Sequence, residues 1–278
     1  MLTRSRKNLI QKTVIFVILL AVAVLVLLPF YWTVITSFKT EEEAVAIPPR
    51  WIPSRFVWEN YLKVWQSAPF GRYFLNSVIC SFWIVVADIA SGVLAAYAFA
   101  RLRFKGKEVV FIALLWTLMF PPQIFLIPRY LIVSWLGWQD TYAGLILPRI
   151  VHINTIFLLR QFFEGLPKEL EDAAVMDGCG HLRIIWSVIL PLSVPAISAI
   201  VILRFMWSWG AFFWPLIVVS EQKMRTLPLG LSVFKDEYTI QWRLLMGATV
   251  ITMIPPLSVY IVFQRHFIRG VTFSGLKS

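Results

Sequence analysis

Long apolar runs separated by short polar connections set the pattern of this chain. The first run, 13–38, follows Arg4, Arg6, Lys7 and Lys12. A secretory signal has an apolar core of only about 7–15 residues that ends in small residues. Here Ala21 and Ala23 lie in the middle of a longer run, which predicts an uncleaved first span. The second run, 73–100, is interrupted by one carboxylate, Asp88. The third, 109–133, carries Pro121, Pro122 and Pro128, so its second half should kink or partly unwind. The fourth covers 142–163, and the sixth, 244–265, holds Pro255 and Pro256 as a mid-span kink. Between them, Ile184 to Val219 is 36 apolar-rich residues. That is too long for one straight span of about 20 residues and tight for two.

The placement of basic residues decides the fifth region. With six spans and the N-terminus inside, the inner segments carry 14 basic residues and a net charge of +8. The outer segments carry 9 and a net +1. A seventh span would put Arg265 and Arg269 outside, against the positive-inside rule. The prediction is therefore one fifth span, 190–213, preceded by an inner loop, 164–190. The fold class is an all-α integral membrane protein, a single domain over 1–278 with six transmembrane helices and both termini cytoplasmic. Two long outer loops, Lys39–Arg72 and Ser220–Arg243, mix charge with Trp and Pro and read as ordered surface.

Composition agrees with this reading. Hydrophobic residues are 59% of 278 and charged residues 15%, so neither a soluble domain nor a disordered chain fits. The formal charge of +11 reports topology rather than nucleic-acid binding. Cys80 and Cys179 make no disulfide framework. His152, His181 and His266 lack companions at metal-ligand spacing, so no metal or other cofactor is expected on this chain.

The inner loop carries the strongest signal. Pro167 suits the first turn of a helix, and Glu169, Glu171 and Asp172 suit its dipole. Gly178 and Gly180 suit its end. Leu170, Ala173, Ala174 and Asp177 share one face, where the alanines allow another backbone to approach. A second helix, Leu182 to Leu190, leads through Pro191 into the fifth span, making a lever. A helix lying on the membrane surface is the plainer alternative, but anionic inner-leaflet lipid disfavours an acidic first turn.

This loop resembles the EAA motif of the permease subunits of binding-protein-dependent ABC importers. Asp172-Ala173-Ala174, three residues, Gly178, nine residues, then Val188-Ile189-Leu190-Pro191 reproduce its spacing, with Asp for the usual Glu and Val for the usual Ile. NYLKVW (Asn60–Trp65), WSWGAFFWPL (Trp207–Leu216), RTLPLGL (Arg225–Leu231) and the tail Phe263–Ser278 are similar to the sugar-importer branch, the maltose-permease type. That branch usually has Asn where Gly210 stands and Gly where Ser278 stands, which puts any polar role at position 210 in doubt.

The resemblance implies a permease for a sugar or oligosaccharide, with glycerol-3-phosphate as the alternative solute, in a bacterial or archaeal cytoplasmic membrane. It implies a second permease subunit in a heterodimer, two cytoplasmic ABC ATPase subunits holding ATP and Mg, and an extracytoplasmic solute-binding protein. The chain has no GxxxxGK[ST] phosphate loop and is not itself the ATPase. Leu170, Glu171, Asp172, Ala173, Ala174, Asp177 and Gly178 would form the coupling helix, with Glu171 and Asp172 offering charged contacts to the ATPase.

Polar residues inside spans are costly and become candidates for the partner interface or the solute pathway. They are Asp88, Arg129, Arg149, His152, Asn154 and Arg204, with a bundle-interior contact the leading role for Asp88. Trp207, Trp209 and Trp214 form either an interfacial belt or a sugar-stacking platform. A secondary transporter would show paired broken helices in two halves, and an intramembrane enzyme a catalytic pair at depth. Neither pattern is evident here.

Overall fold

The computed structural model describes residues 2–235 and 240–274, and every element of any length among them is helical. Three single helices are long and apolar enough to cross a membrane: α1 (Leu2–Ser37), α2 (Phe70–Arg101) and α11 (Trp242–Ser274). Three bent pairs meet the same test together: α3 (Lys107–Met119) with α4 (Pro122–Trp135), α5 (Tyr142–Arg149) with α6 (Ile153–Glu164), and α8 (His181–Leu192) with α9 (Val194–Trp209). Counting each pair as one span gives up to 6. Between α6 and α8 lies the short α7 (Glu169–Met176), and α10 (Phe213–Val218) follows α9.

Proline and the need to satisfy freed backbone groups explain where helices bend. Phe120 is extended ahead of Pro121 and Pro122, and the third span turns by 100° there, as the prolines predict. The fourth span, expected to run unbroken over 142–163, breaks by 41° at 150–152, just after Pro148 in the 3₁₀ turn Leu147–Arg149. The sixth region holds its two prolines within one helix. Helix α11 continues through Pro255 and Pro256, which a membrane helix tolerates when local adjustment re-satisfies the freed carbonyls. The Gly275–Ser278 tail match lies outside the described residues, as does the side chain of His266.

The chain divides into two compact units. The first comprises residues 1–70 and 231–253. Its α1 exposes apolar side chains on all sides from Val14 to Leu28, the composition of a helix whose solvent is lipid or another subunit. The loop after it is ordered, as expected. Thr40 and Glu43 form a capping box on the helix Glu41–Ala44. The Asn60 amide donates to the carbonyls of Ser37 and Lys39, each at 2.9 Å. Arg243 donates to Glu41 Oε2 at 2.6 and 2.9 Å and to Asn60 Oδ1 at 2.9 Å. Glu43 is buried and accepts from Ser54 N at 3.1 Å and Arg50 Nη1 at 3.2 Å. The Ser54 hydrogen bond, with help from Thr40 and Arg50, outweighs desolvation and holds this carboxyl below the usual range.

The second unit comprises residues 71–230 and 254–278. Its main core joins Val93, Ala96 and Tyr97 of α2 to Leu159 and Phe163 of α6 and to Ile184 and Ile189 of α8. Gly92 lets α2 and α6 meet, because a Cβ there would come within 2.6 Å of Thr155 Cγ2. The loop after α10 is fastened to α2 by polar clamps. Asn76 Nδ2 donates to the carbonyls of Lys223 and Arg225 at 2.8 and 2.9 Å, and Ser77 Oγ accepts from Leu227 N at 2.7 Å.

Candidate functional site

Helix α7 begins two residues after Pro167 with Glu169, Glu171 and Asp172 in its first turn, as the sequence predicts. It ends on Gly178, whose φ of +78° is one that side chains with a Cβ rarely adopt. A Cβ at this position would meet no atom within 4 Å, so the requirement is conformational rather than spatial. Backbone bonds from Gly178 N to Val175 O and from Cys179 N to Ala174 O, each 2.9 Å, close the turn.

The faces of α7 differ in part from expectation. Leu170, Asp172, Ala173 and Asp177 are exposed, and so are Val175 and Met176, the latter at 88%. Glu171 is buried and ion-pairs with Arg101 at the end of α2. Its carboxylate is therefore turned toward its own chain, and Glu169 and Asp172 are the first-turn acids left at the exposed surface. Ala174 packs at the edge of the main core, so the two alanines divide between the bundle and the surface. Arg101 also donates from Nη2 to Leu166 O at 2.8 Å, which fixes the chain entering α7. Only the charge of Arg101 was legible in the sequence. The partner that makes it a tether is 70 positions away.

Beyond Gly180 the chain enters α8, with Tyr97 Oη and His181 Nδ1 at 3.2 Å. The expected lever helix, Leu182–Leu190, runs instead from His181 to Leu192 and contains a π-helical stretch, Ile185–Ile189. Pro191 lacks an N–H and cannot complete the α ladder, which accounts for the widened turn. At Ser193 the path bends by 81° into α9. The expected start of the fifth span at 190 falls within α8, and α9 ends at Trp209 before the non-helical Gly210.

Inside the second unit, Asp88 is fully buried. Its Oδ2 accepts from Arg204 Nε at 2.8 Å and from Thr155 Oγ1 at 2.6 Å. Arg204 Nη2 donates to Arg149 O at 3.2 Å, and Ser91 Oγ lies 3.3 Å from Ile150 O. The Arg204 contact satisfies a carbonyl freed by the break between α5 and α6, which lipid would leave unpaired, while the Ser91 hydroxyl has a nearer acceptor in Ala87 O at 2.7 Å. Asp88 thus makes a contact inside the second unit, and it lines neither of the two cavities beside it.

Two cavities lie beside this network. One, of about 430 Å³, is lined by Arg129, Arg149, Trp207, Phe212, Phe213 and Trp214 among others. A second, of about 370 Å³, is lined by His152, Asn154, Arg204 and Trp207. Arg149, Asn154, Trp207 and Trp214 therefore come together at cavity walls. Trp214 Nε1 donates to Gly144 O at 3.0 Å, and Arg129 lies 5.5 Å from its ring centroid. Trp209 does not join them. It is 3% exposed, stacked on Phe205 at 5.5 Å and edge-on to Phe74 at 5.8 Å. Both the belt and the platform readings fail for Trp209, because packing covers its ring. Its neighbour Trp207, at 61% exposure, faces the cavities.

A family model described as a binding-protein-dependent transport system inner membrane component matches residues 88–273. The sn-glycerol-3-phosphate transport system permease protein UgpE of Yersinia enterocolitica is 33% identical over 266 residues, covering 93% of this chain and 95% of that one. The probable ABC transporter permease protein YurM of Bacillus subtilis is 32% identical over 278 residues, covering 98% and 91%. Among solved structures, a bacterial ABC transporter involved in the import of the acidic polysaccharide alginate has a chain with the same fold. The TM-score is 0.83 at 24% identity, over 94% of this chain and 98% of that one.

Proposed function

The chain belongs to the family of binding-protein-dependent transport system inner membrane components, and from that premise we propose how it works within an importer. It is a permease of an ABC importer for a sugar-like solute, and its relatives are transport permeases rather than enzymes. Sugars and oligosaccharides are the first substrate class. The relatives named for sn-glycerol-3-phosphate transport make that solute the second.

In our reading ATP is hydrolysed on two separate cytoplasmic ATPase subunits. A second permease completes the pathway, and an extracytoplasmic binding protein delivers the solute. The chain lies in a bacterial or archaeal inner membrane with both termini in the cytoplasm, the orientation that the basic residues favour. Helix α7 is the coupling helix. One observation carries this reading: α7 exposes Leu170, Val175 and Met176 beside Asp172, while Arg101–Glu171 ties it to α2 and α8 links it to α9. Exposed apolar residues on a tethered helix suit the cleft of a partner protein. ATP-driven closure would press two such helices together, and the bend at Ser193 would turn that thrust into a swing of α9. The coupling requires contact energy that differs between the two states.

The test replaces Gly178→Val and Asp172→Lys in the assembled importer. We expect both variants to insert normally and to lose ATPase co-purification or solute-stimulated hydrolysis. If both retain the ATPase and respond to solute as the parent does, α7 is not the coupling element. Orientation is tested separately by Gly180→Cys in a background lacking Cys80 and Cys179. Labelling by an impermeant reagent from outside would reverse the topology.

A further inference from the structure

The larger cavity has a charge imbalance that a neutral solute does not remove. Arg129 and Arg149 stand on its wall, and Arg204 lies beside them, its Nη2 donating to Arg149 O at 3.2 Å. Asp88 balances Arg204 through the 2.8 Å contact. Neither Arg129 nor Arg149 has a carboxylate partner among the described residues. Both nevertheless line the same space of about 430 Å³. Unpaired guanidinium groups inside a membrane bundle are expensive, and an arginine kept at such a place marks a charge that arrives from elsewhere.

Guanidinium is the side chain best matched to a carboxylate or phosphate, which it binds through two parallel N–H donors. The rest of the wall is aromatic, with Trp207, Trp214 and Phe213 offering flat apolar surface. The volume falls within the range of small-molecule sites and suits one sugar ring or a short phosphorylated polyol.

We propose that this cavity is a binding site for an oxyanion-bearing solute, a sugar acid or a polyol phosphate, with Arg129 and Arg149 neutralising the anion and Trp207 covering the apolar face. The inference rests on the permease reading and narrows its substrate class. Arg204 is excluded from the role because Asp88 already holds it. The shared chemistry is the oxyanion, and carboxylate and phosphate are separated by the choice of probe.

The experiment uses the complete importer in proteoliposomes with radiolabelled glucuronate, glycerol-3-phosphate, glucose and glycerol. Uptake is compared for the parent, Arg129→Gln, Arg149→Gln and the corresponding Lys variants, with the amount of assembled complex measured alongside. Expected is ATP-dependent uptake of at least one of the two anions, at least 10-fold above its neutral counterpart. Each Gln variant should lower it 10-fold or more, and each Lys variant should recover part of it. Uptake of a neutral probe that neither Gln variant alters overturns the anion site while leaving the permease reading standing. No ATP-dependent uptake of any probe overturns the anion assignment. A parent chain that assembles with no ATPase overturns the permease reading itself. Two further results overturn the site. One is loss of the second permease from the Gln variants, which would make the arginines an interface. The other is loss of about one co-purified phospholipid per chain with anion uptake unchanged, which would give the site to a lipid headgroup.

Discussion

Helix α2 carries one half of each of two ion pairs, Asp88–Arg204 at its middle and Arg101–Glu171 at its end. The chemistry is the same, but the surroundings differ. Asp88 has no exposed surface, and its Oδ2 accepts from both Arg204 and Thr155 while Arg204 also serves a freed carbonyl of the broken fourth span. Removing Arg204 would leave the Asp88 carboxylate uncompensated with no exposed surface, whereas Arg204 keeps 10% of its side chain exposed. Arg101 and Glu171 lie at the end of the helix and retain some exposure, 13% and 9% of their side chains. Either can recruit water if the other is lost. The inner pair is therefore a condition of assembly, and the outer pair a tether that the transport cycle can load and release.

The strongest way to break this comparison is Asp88→Ala. Stranding Arg204 should cost about 3–5 kcal/mol, read as loss of membrane-inserted protein and a lower thermal transition in detergent. The double change Asp88→Leu with Arg204→Met should recover most of the loss, because replacing both charges by apolar groups removes the stranded one. An unaltered Asp88→Ala protein would show that the network is dispensable.

Glu171→Gln should cost about 2 kcal/mol, the value of a hydrogen bond to a charged group, and chiefly within α7. Amide exchange in 166–176 should quicken while the core of α2 stays protected. Equal loosening of both regions would erase the distinction between anchor and tether.

Raising salt from 0.1 to 1 M shortens the screening length from about 10 to about 3 Å. It should quicken exchange in α7 modestly and leave the amides around Asp88 unchanged. A salt response at both places would mean that water reaches the inner pair.

The smallest effect concerns a third carboxylate outside the spans, Glu43. Its folded pKa is depressed, so its contribution to stability is complete above the unfolded value near 4.5 and fades as pH falls through the lower folded value. Protection of Thr40–Ser54 should hold at neutral pH and weaken only in that acid window. Weakening that begins at neutral pH would contradict the depressed value. The Ser54 and Arg50 contacts would then not be what holds this loop.

Much of the architecture was legible because it depends on quantities local in sequence. Runs of apolar residues long enough to span, the prolines at 121 and 122, and the acidic turn and Gly178 of α7 each state their own requirement. Lipid enforces them, since a backbone with no water must satisfy itself within a helix. The motif spacing from Asp172 to Pro191 needed no tertiary information either. The break at 150–152 follows Pro148, which stands in plain view in the sequence; what the sequence does not display is distant Arg204, which donates to the carbonyl of Arg149 beside the break.

What only the tertiary structure decided is which way side chains point. Trp207 and Trp209 sit two positions apart in the same apolar stretch, yet one lines a cavity and the other is sealed between Phe205 and Phe74. Glu171 and Asp172 are adjacent, and one is bound inward while the other meets solvent. In a soluble protein an apolar stripe would reveal such faces. A helix surrounded by lipid and by other apolar helices has little polar contrast around its circumference. The face is then fixed by partners such as Arg204, 116 positions from Asp88, and by the space that neighbouring helices leave open.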